Sequence, residues 1–370
     1  MRVGIMTMHR IVNHGSFMQA FGLKSMIESL GHEVCFVDYR PEACWPGLRS
    51  RSQRARDAAG RLKARFKYTS AGRAAMSAVG VYRPSELERK YAECLPMLGV
   101  DASGRNIGER VDTLIVGSDE VFNCFQAGPN VGFCRQLLGA GNHCGRLISY
   151  AASFGSVTCE QIRELGARDE LRSLLSGFDA LSVRDANSES VLDFLGLALH
   201  DRHLDPALVS GIEGFSWREP GVAGGYALVY GYGRRFTAEE GRTIRSVAER
   251  RGLRVISVYG DQLFCDENVV CRPDEILGYF KRADIVFTDT FHGTIFSAIT
   301  HRPMVVICRP SNANKLGDLV LRMGLSDRVA RCAEEVARIA ESRISFAACD
   351  SVRFAERQRS LDYLSKNLKA

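Results

Sequence analysis

The chain is best understood from one stretch, Ala283-Asp-Ile-Val-Phe-Thr-Asp-Thr-Phe-His-Gly-Thr-Ile-Phe-Ser-Ala-Ile-Thr-His-Arg-Pro-Met-Val-Val-Ile307. Its apolar, β-branched run at residues 285–287 predicts a buried strand, the polar residues after it a turn, and residues 294–300 a helix. A second apolar run follows Pro303. His292 and Gly293 are therefore expected where a strand ends and a helix begins. Open α/β sheets bind ligands at that edge, and helix N-termini favour anions there.

Strands and helices alternate on both sides of this stretch. Further apolar runs that predict strands lie at residues 3–6, 33–38, 111–116, 147–151, 180–183, 226–232 and 254–259. Most of them end in a polar turn before a helical pattern, which is typical of α/β proteins with parallel sheets. The glycine-rich residues 211–225 predict a domain boundary. We therefore expect domains over residues 1–212 and 222–350, followed by a C-terminal helix over 351–370.

The composition is that of an ordinary globular protein. Of the 370 residues, 45% are hydrophobic and 25% charged, and the formal net charge is +6. This charge is too small to indicate nucleic-acid binding by itself. No apolar run approaches the roughly 20 residues of a membrane-spanning helix, and residues 3–6 are too short for the core of a signal peptide. We expect a cytoplasmic protein.

The twelve cysteines show no metal-binding pattern. No C-x-x-C occurs, and no histidines lie at the offsets that zinc sites use. We expect reduced thiols and no metal. The first strand and helix also lack G-x-G-x-x-G, so no dinucleotide cofactor is expected.

Residues 49–73, which we name the basic segment, have a different character. Nine arginines and lysines lie there against one acid, Asp57, within a region of about 44–98 that shows no strand pattern. We expect that region to be a helical insertion in the first domain. The basic segment is either a solvated helical surface or a contact with anionic lipid at the inner face of the membrane. Its few aromatic residues argue against nucleic acid.

Seven motifs follow one another along the chain: Asn13-His-Gly-Ser-Phe-Met-Gln-Ala-Phe-Gly-Leu23, Phe36-Val-Asp-Tyr-Arg-Pro41, Ile115-Val-Gly-Ser-Asp-Glu-Val-Phe-Asn123, Ser149-Tyr-Ala-Ala-Ser-Phe-Gly155, Leu181-Ser-Val-Arg-Asp185, Leu204-Asp-Pro206 and Thr288-Asp-Thr-Phe-His-Gly-Thr-Ile-Phe-Ser297. In this order they resemble the polysaccharide pyruvyl transferase family over most of residues 1–325. The resemblance implies two Rossmann-like domains facing a cleft, as in glycosyltransferase-B folds. The family often has an arginine after the strand that follows Pro303, and Lys315 is the nearest match here.

The resemblance also implies a reaction. A member would transfer the enolpyruvyl group of phosphoenolpyruvate to a sugar of a cell-surface polysaccharide or its precursor, forming a pyruvate ketal and releasing phosphate. The acceptor, a nucleotide- or lipid-linked sugar, would bind on the first domain and the donor on the second. Two alternatives stay open: a nucleotide-sugar glycosyltransferase of the same architecture, and a non-catalytic sugar-binding or scaffold protein.

Ketal transfer needs a proton donor for the enol carbon, a base for the sugar hydroxyl, and cationic or N–H groups for a multiply charged donor. His292 is our candidate for the acid–base residue. The alternative is a histidine that caps the helix or satisfies a group in the core. Thr290 and the N–H groups of Gly293 and Thr294 are candidates to hold the donor phosphate at the helix start.

Arg184 is the candidate to bind the donor's carboxylate or phosphate, because a guanidinium fork can bind either in bidentate fashion. The alternative is a structural pair with Asp185 or with a helix terminus. Asp119 is a candidate base for a sugar hydroxyl, and a turn or N-cap role is its alternative. Tyr230 either lines the cleft or belongs to the core.

The remaining candidates are expected to touch the acceptor from loops at the ends of strands. They are Asn13, Gly15, Ser16, Gln19, Ser118, Asn123, Tyr150 and Ser153.

Overall fold

The computed structural model describes residues 1–42, 45, 85–126, 133–197, 200–223, 225–309 and 312–369. The basic segment lies outside these residues, so the predicted membrane contact stays a prediction. Of the predicted insertion, residues 85–98 are described, and they contain the helix α2 (Glu86–Cys94) and a 3-10 turn at Leu95–Leu98. Ser85 begins α2 with a capping box that it shares with Glu88.

The chain divides into two compact units by its contacts. The first comprises Met1–Val12, Gln19–Pro206 and Ser360–Ala370, and the second comprises Asn13–Met18 and Ala207–Arg359. The division after Pro206 precedes the glycine-rich segment from which we predicted a boundary. The last residues of the predicted C-terminal helix belong to the first unit, and the short segment from Asn13 belongs to the second.

The first unit contains a parallel sheet. Its described strands are β1 (Arg2–Met6), β2 (Glu33–Phe36), β3 (Val111–Asp119), β4 (Cys144–Ala152), β5 (Leu181–Val183) and β6 (His200–Arg202). They pair in the order β2-β1-β3-β4-β5-β6. Besides α2, its described helices are α1 (His14–Ser29), whose first five residues belong to the second unit, α3 (Cys159–Glu164), α4 (Arg168–Leu175) and α5 (Ala186–Leu195).

The second unit contains another parallel sheet. Its described strands are β7 (Tyr226–Gly231), β8 (Arg254–Tyr259), β9 (Glu267–Val269), β10 (Ile285–Thr288), β11 (Met304–Ile307) and β12 (Val329–Ala330). They pair in the order β12-β11-β10-β7-β8-β9. The accompanying helices are α6 (Pro206–Val209), α7 (Ala238–Arg250), α8 (Ile276–Arg282), α9 (Phe291–Ile299), α10 (Ala313–Arg322), α11 (Ala333–Glu341) and α12 (Ala347–Asn367).

Each unit has its own hydrophobic core, built on its central strands. Val116 and Leu147 belong to the first core, and Val229 and Phe287 to the second. Strands buried on both faces read as continuous apolar runs rather than as alternating ones, which is why the sequence marks them clearly. The predicted fold class, α/β with two Rossmann-like units, is confirmed.

Two predicted elements differ in the structure. From the sequence, the polar residues before Phe17 predict a loop, but α1 already begins at His14, because Asn13 caps it. The sequence pattern of residues 160–177 predicts a single helix, but the structure has two helices there, α3 and α4. Gly166 separates them with a φ of +61°, a left-handed conformation that glycine adopts without a Cβ clash.

Candidate functional site

The strand order of the second unit locates a ligand-binding edge. Numbered from β7, the order corresponds to the 3-2-1-4-5-6 arrangement of dinucleotide-binding folds, whose connections reverse direction between the first and fourth strands. That switch point lies between β7 and β10. Ligands of open α/β sheets bind there, outside the carboxyl ends of the strands. The segment after β10 contains His292, in the first turn of α9.

His292 does not cap its helix. The N-cap of α9 is Thr290, whose Oγ1 accepts a hydrogen bond of 2.9 Å from the N–H of Gly293. The carbonyl of Thr290 accepts the N–H of Thr294 at 3.2 Å. The helix-cap alternative for His292 is therefore wrong. The predicted phosphate contacts of Gly293 and Thr294 need correction too, because Thr290 already occupies both N–H groups.

Gly293 is required by close packing at the start of α9. A Cβ on this residue would lie 2.1 Å from Oγ1 of Thr288 and 2.8 Å from the ring of Tyr230. Tyr230 is 2% exposed and packs edge-on against Phe280 and Phe296, so it belongs to the core. Any larger residue at position 293 would push the first turn of α9 away from the sheet.

His292 is half-buried with its Nε2 inside the protein, and its imidazole lies directly against the first turn of α1. A Cβ on Gly15 would be 2.1 Å from Nδ1 of His292 and 2.2 Å from its Cγ. Phe291 and Phe296 flank the same ring, with centroid separations of 5.4 and 6.1 Å. The orientation of the ring is thus restricted by a glycine surface and two phenyl groups.

Asn13 holds that glycine surface in place. Its Oδ1 accepts hydrogen bonds from the N–H groups of Gly15, at 2.8 Å, and Ser16, at 3.3 Å. Its Nδ2 donates to the hydroxyl of Tyr259 at 3.1 Å. The predicted acceptor residue Asn13 is therefore the N-cap of α1 in this structure, with both ends of its amide bonded. Ser16, also predicted to touch the acceptor, is 5% exposed.

His14 is a buried histidine that sequence reasoning missed. It is 1% exposed, and its Nε2 lies 3.2 Å from the carbonyl oxygen of Cys271. No described residue hydrogen-bonds to its Nδ1. Burial lowers the pKa of His14 to about 4, so the ring is neutral near pH 7. Nothing in the motif distinguishes a buried histidine at this position from an exposed one.

A charged cluster at the switch point was also missed. Asp289, which follows β10, is fully buried, and its Oδ2 lies 3.1 Å from Nε of Arg235 and 3.3 Å from Nε of Arg309. Arg309 also forms a bidentate pair with Glu240, at 2.6 and 2.8 Å. Burial raises the pKa of Asp289 despite both arginines. Arg309 lies two residues after β11, the strand that follows Pro303.

In the first unit, the carboxyl ends of β1 and β3 are joined by a short hydrogen-bond chain. Gln19 donates from Nε2 to Oγ1 of Thr7 at 3.0 Å, and Thr7 donates to the carbonyl of Ser118 at 2.8 Å. These strands flank the switch point of a 2-1-3-4-5 sheet. Gln19 and Ser118 are both fully buried. They connect the ends of two strands rather than face an acceptor.

Arg184 is the centre of a buried ion-pair group. It is 2% exposed, and its Nη1 lies 2.7 Å from Oδ2 of Asp205 and 3.9 Å from Oδ1 of Asp119. Ser118 donates to the same oxygen of Asp205 at 3.2 Å. The geometry supports the structural alternative for Arg184, with Asp205 as its main partner. Asp185 instead caps α5 by accepting the N–H of Ser188.

Asp119, the candidate base, has a constrained backbone. Its φ is +83°, which is uncommon for a residue other than glycine, and its Oδ1 accepts the N–H of Glu120 at 2.9 Å. Asn123 donates to the Glu120 carboxylate at 3.0 Å. These contacts form a local turn, as in the alternative that we left open for Asp119.

Tyr150 and Ser153 are core residues, which corrects their prediction as acceptor contacts. Both are fully buried. The Tyr150 hydroxyl donates to the carbonyl of Leu204 at 3.3 Å, and the Ser153 hydroxyl donates to Asp185 at 2.6 Å. Their hydroxyls satisfy groups inside the first unit.

The candidates thus separate into two groups. The second unit contains seven of them: Asn13, Gly15, Ser16, Thr290, His292, Gly293 and Thr294. The first unit contains the other seven: Gln19, Ser118, Asp119, Asn123, Tyr150, Ser153 and Arg184. Among the described residues, no group of three or more histidines, cysteines or acids is arranged to hold a metal. In the same part of the chain, no helix is both long and apolar enough to span a membrane.

Comparisons with known proteins give one family. A family model described as polysaccharide pyruvyl transferase matches residues 13–308. No curated protein sequence matches the chain.

The solved structures that match share little sequence identity with the chain. The chain is 14% identical to a mutant O-GlcNAc transferase of Thermobaculum terrenum, with a TM-score of 0.40 over 99% of this chain and 64% of that one. It is 13% identical to the spinosyn rhamnosyltransferase SpnG, with a TM-score of 0.40 over 100% and 96% of the two chains. It is 8% identical to S. aureus MnaA bound to UDP, with a TM-score of 0.46 over 99% and 91%.

Proposed function

The chain belongs to the polysaccharide pyruvyl transferase family, and we propose that it transfers the enolpyruvyl group of phosphoenolpyruvate to a sugar of a cell-surface polysaccharide or its precursor. The products are a pyruvate ketal and phosphate. In this proposal His292 is the acid–base residue. The donor binds at the switch point of the second unit, and a nucleotide- or lipid-linked sugar is the acceptor.

The proposed reaction balances with two sugar hydroxyls. His292 gives a proton to the methylene carbon of the donor, and the carbon that bears phosphate gains oxocarbenium character. One hydroxyl attacks that carbon and returns its proton to His292. Phosphate leaves, a second hydroxyl closes the ring, and its proton departs with the phosphate. The role of Asp119 as a base stays a prediction from the sequence.

The setting of His292 is the observation that supports this proposal. Its helix is capped by Thr290 rather than by the imidazole, and the half-buried ring is restricted by Gly15 and two phenylalanines. A group that transfers protons must be held within reach of its target, because proton transfer depends on geometry before it depends on pKa. A histidine with only a capping role would not require a glycine beneath its ring.

The proposed function is tested by incubating the protein with phosphoenolpyruvate and candidate β-linked glycans. Pyruvyl transfer predicts released phosphate and a glycan whose mass increases by pyruvate minus water. A glycosyltransferase would instead release a nucleoside diphosphate from a nucleotide sugar. If neither a pyruvylated glycan nor a nucleoside diphosphate forms with any acceptor, the result contradicts catalysis and favours a binding protein.

A further inference from the structure

We propose that Arg235 and Asp289 form a phosphate site at the switch point of the second unit, one that discriminates phosphate from sulfate. This inference rests on the proposed function in one respect only: it identifies where the phosphate of the donor is held. Neither residue was among the sequence-based candidates.

The two residues come from the segments on either side of the switch point. Arg235 lies in the segment after β7, and Asp289 directly follows β10. Their ion pair, 3.1 Å between Nε and Oδ2, therefore joins the ends of the two strands between which open α/β sheets bind ligands. The guanidinium also lies over the exposed ring of Tyr232, 5.3 Å from its centroid.

Arg235 is the more exposed of the two arginines that contact Asp289, since its side chain is 28% exposed and that of Arg309 is 17% exposed. Arg309 touches the same carboxylate, but its bidentate pair with Glu240 neutralises it. The side chain of Arg235 is 28% exposed, whereas that of Asp289 is fully buried. An incoming anion consequently meets Arg235 first. Guanidinium groups bind phosphate oxygens with fixed geometry, and a carboxylate behind the group orients it.

The carboxylate of Asp289 gives a separate reason to expect a ligand at this point. Its Oδ1 is buried and has no hydrogen-bond partner among the described residues, although buried polar atoms nearly always have one. A carboxylate oxygen needs a donor. Phosphate near neutral pH carries a P–OH group that can donate, whereas sulfate carries none.

The two requirements describe one ligand class. A partly protonated phosphate offers oxygens that accept from Arg235 and a hydroxyl that donates to Asp289, while a fully ionised oxyanion would be repelled by the carboxylate. We therefore expect the full-length protein to bind inorganic phosphate at least tenfold more tightly than sulfate near pH 7, as measured by titration calorimetry.

Variants separate this site from a general attraction to anions. Arg235→Gln should weaken binding of inorganic phosphate and of phosphoenolpyruvate at least tenfold. Arg245→Gln is the matched control, because it removes the same charge from an arginine that is 39% exposed and paired with Asp266. Asp289→Asn should reduce the preference for phosphate over sulfate. If that variant folds poorly, the ratio of the affinities of the unmodified protein for phosphate and sulfate still tests the inference.

A parallel titration with uridine diphosphate identifies the source of the phosphate. Loss of phosphoenolpyruvate binding in Arg235→Gln assigns the site to the donor phosphate. Loss of uridine diphosphate binding with unchanged affinity for phosphoenolpyruvate would contradict that assignment. If Arg235→Gln loses affinity for phosphoenolpyruvate but no ketal forms with any acceptor, this inference stands and the proposed function fails. Equal affinity for phosphate and sulfate, no phosphate binding, or unchanged affinity in Arg235→Gln overturns the inference.

Discussion

The Cα of Gly15 lies against the imidazole of His292, so close that a Cβ there would be 2.1 Å from Nδ1. Both residues occupy the first turn of a helix, α1 and α9. Two sequence motifs that are far apart in the chain thus meet at one point, and the position of the acid–base candidate depends on a residue that has no side chain.

Gly15→Ala should impair turnover through this contact. The added methyl group cannot coexist with the ring where it lies, so His292 must shift, and a misplacement of about 1 Å can cost on the order of 100-fold in rate. We expect kcat for ketal formation to fall by about that factor, with a smaller change in the KM for phosphoenolpyruvate.

Gly317→Ala is the control for that substitution. Gly317 is also helical and in the second unit, and a Cβ there would meet nothing within 4 Å. Alanine is the better helix former at both positions, so a propensity effect would be shared by the two variants. Unchanged kcat in Gly15→Ala would show that the ring's position does not matter to the reaction.

Arg184→Gln should mainly affect stability. In the unmodified protein the guanidinium lies 2.7 Å from the buried carboxylate of Asp205, and the substitution removes this partner. Removing one partner of a buried ion pair costs about 3–5 kcal/mol of stability. We expect the free energy of unfolding in urea to fall by that amount. Arg163→Gln, which removes an exposed pair with Glu160, should cost less than about 1 kcal/mol. A stable Arg184→Gln protein with a raised KM for phosphoenolpyruvate would instead restore Arg184 as a donor contact.

His14 should make stability depend on pH. Its pKa is lowered by burial from 6.5 to about 4, so the unfolded state takes up a proton below pH 6.5 that the folded state refuses until about pH 4. The stabilisation is complete above pH 6.5 and is lost as the pH falls through that interval. The loss should be roughly 3 kcal/mol, since one pKa unit corresponds to about 1.4 kcal/mol.

His14→Gln removes this titration while keeping an amide N–H for the carbonyl of Cys271. Urea unfolding at several pH values between 4 and 7 should therefore show a shallower loss of stability in the variant than in the unmodified protein. Parallel curves for the two proteins would mean that His14 is not held neutral by the fold.

The sequence predicts the architecture well where the strands are buried. The runs that became β7 and β10 are apolar on both faces, and continuous apolar runs are recognisable without any tertiary information. The short strands β9 and β12 were missed, because they have only three and two residues, and β9 is largely polar. Their strand conformation comes from pairing with a neighbour at or near the sheet edge.

The candidate site was predictable only in part. The position of His292 and Gly293 after a strand and at the start of a helix was predicted correctly, and their roles stay predictions. The partners of Arg184 were not, because Asp205 lies 21 residues away and sequence proximity favoured Asp185. The pair between Arg235 and Asp289 joins segments separated by a whole βαβ unit, and no local pattern records such a contact.

The most direct measurement is the turnover of His292→Gln with phosphoenolpyruvate and an accepted glycan, compared with His143→Gln, which changes an exposed histidine. General acid–base groups contribute about 10²–10⁴-fold to rate. We predict that kcat for ketal formation decreases by about that factor or more in His292→Gln. The free energy of unfolding of this variant should change by less than about 1 kcal/mol. His143→Gln should behave like the unmodified protein. Ketal formation by His292→Gln at the unmodified rate would contradict the account.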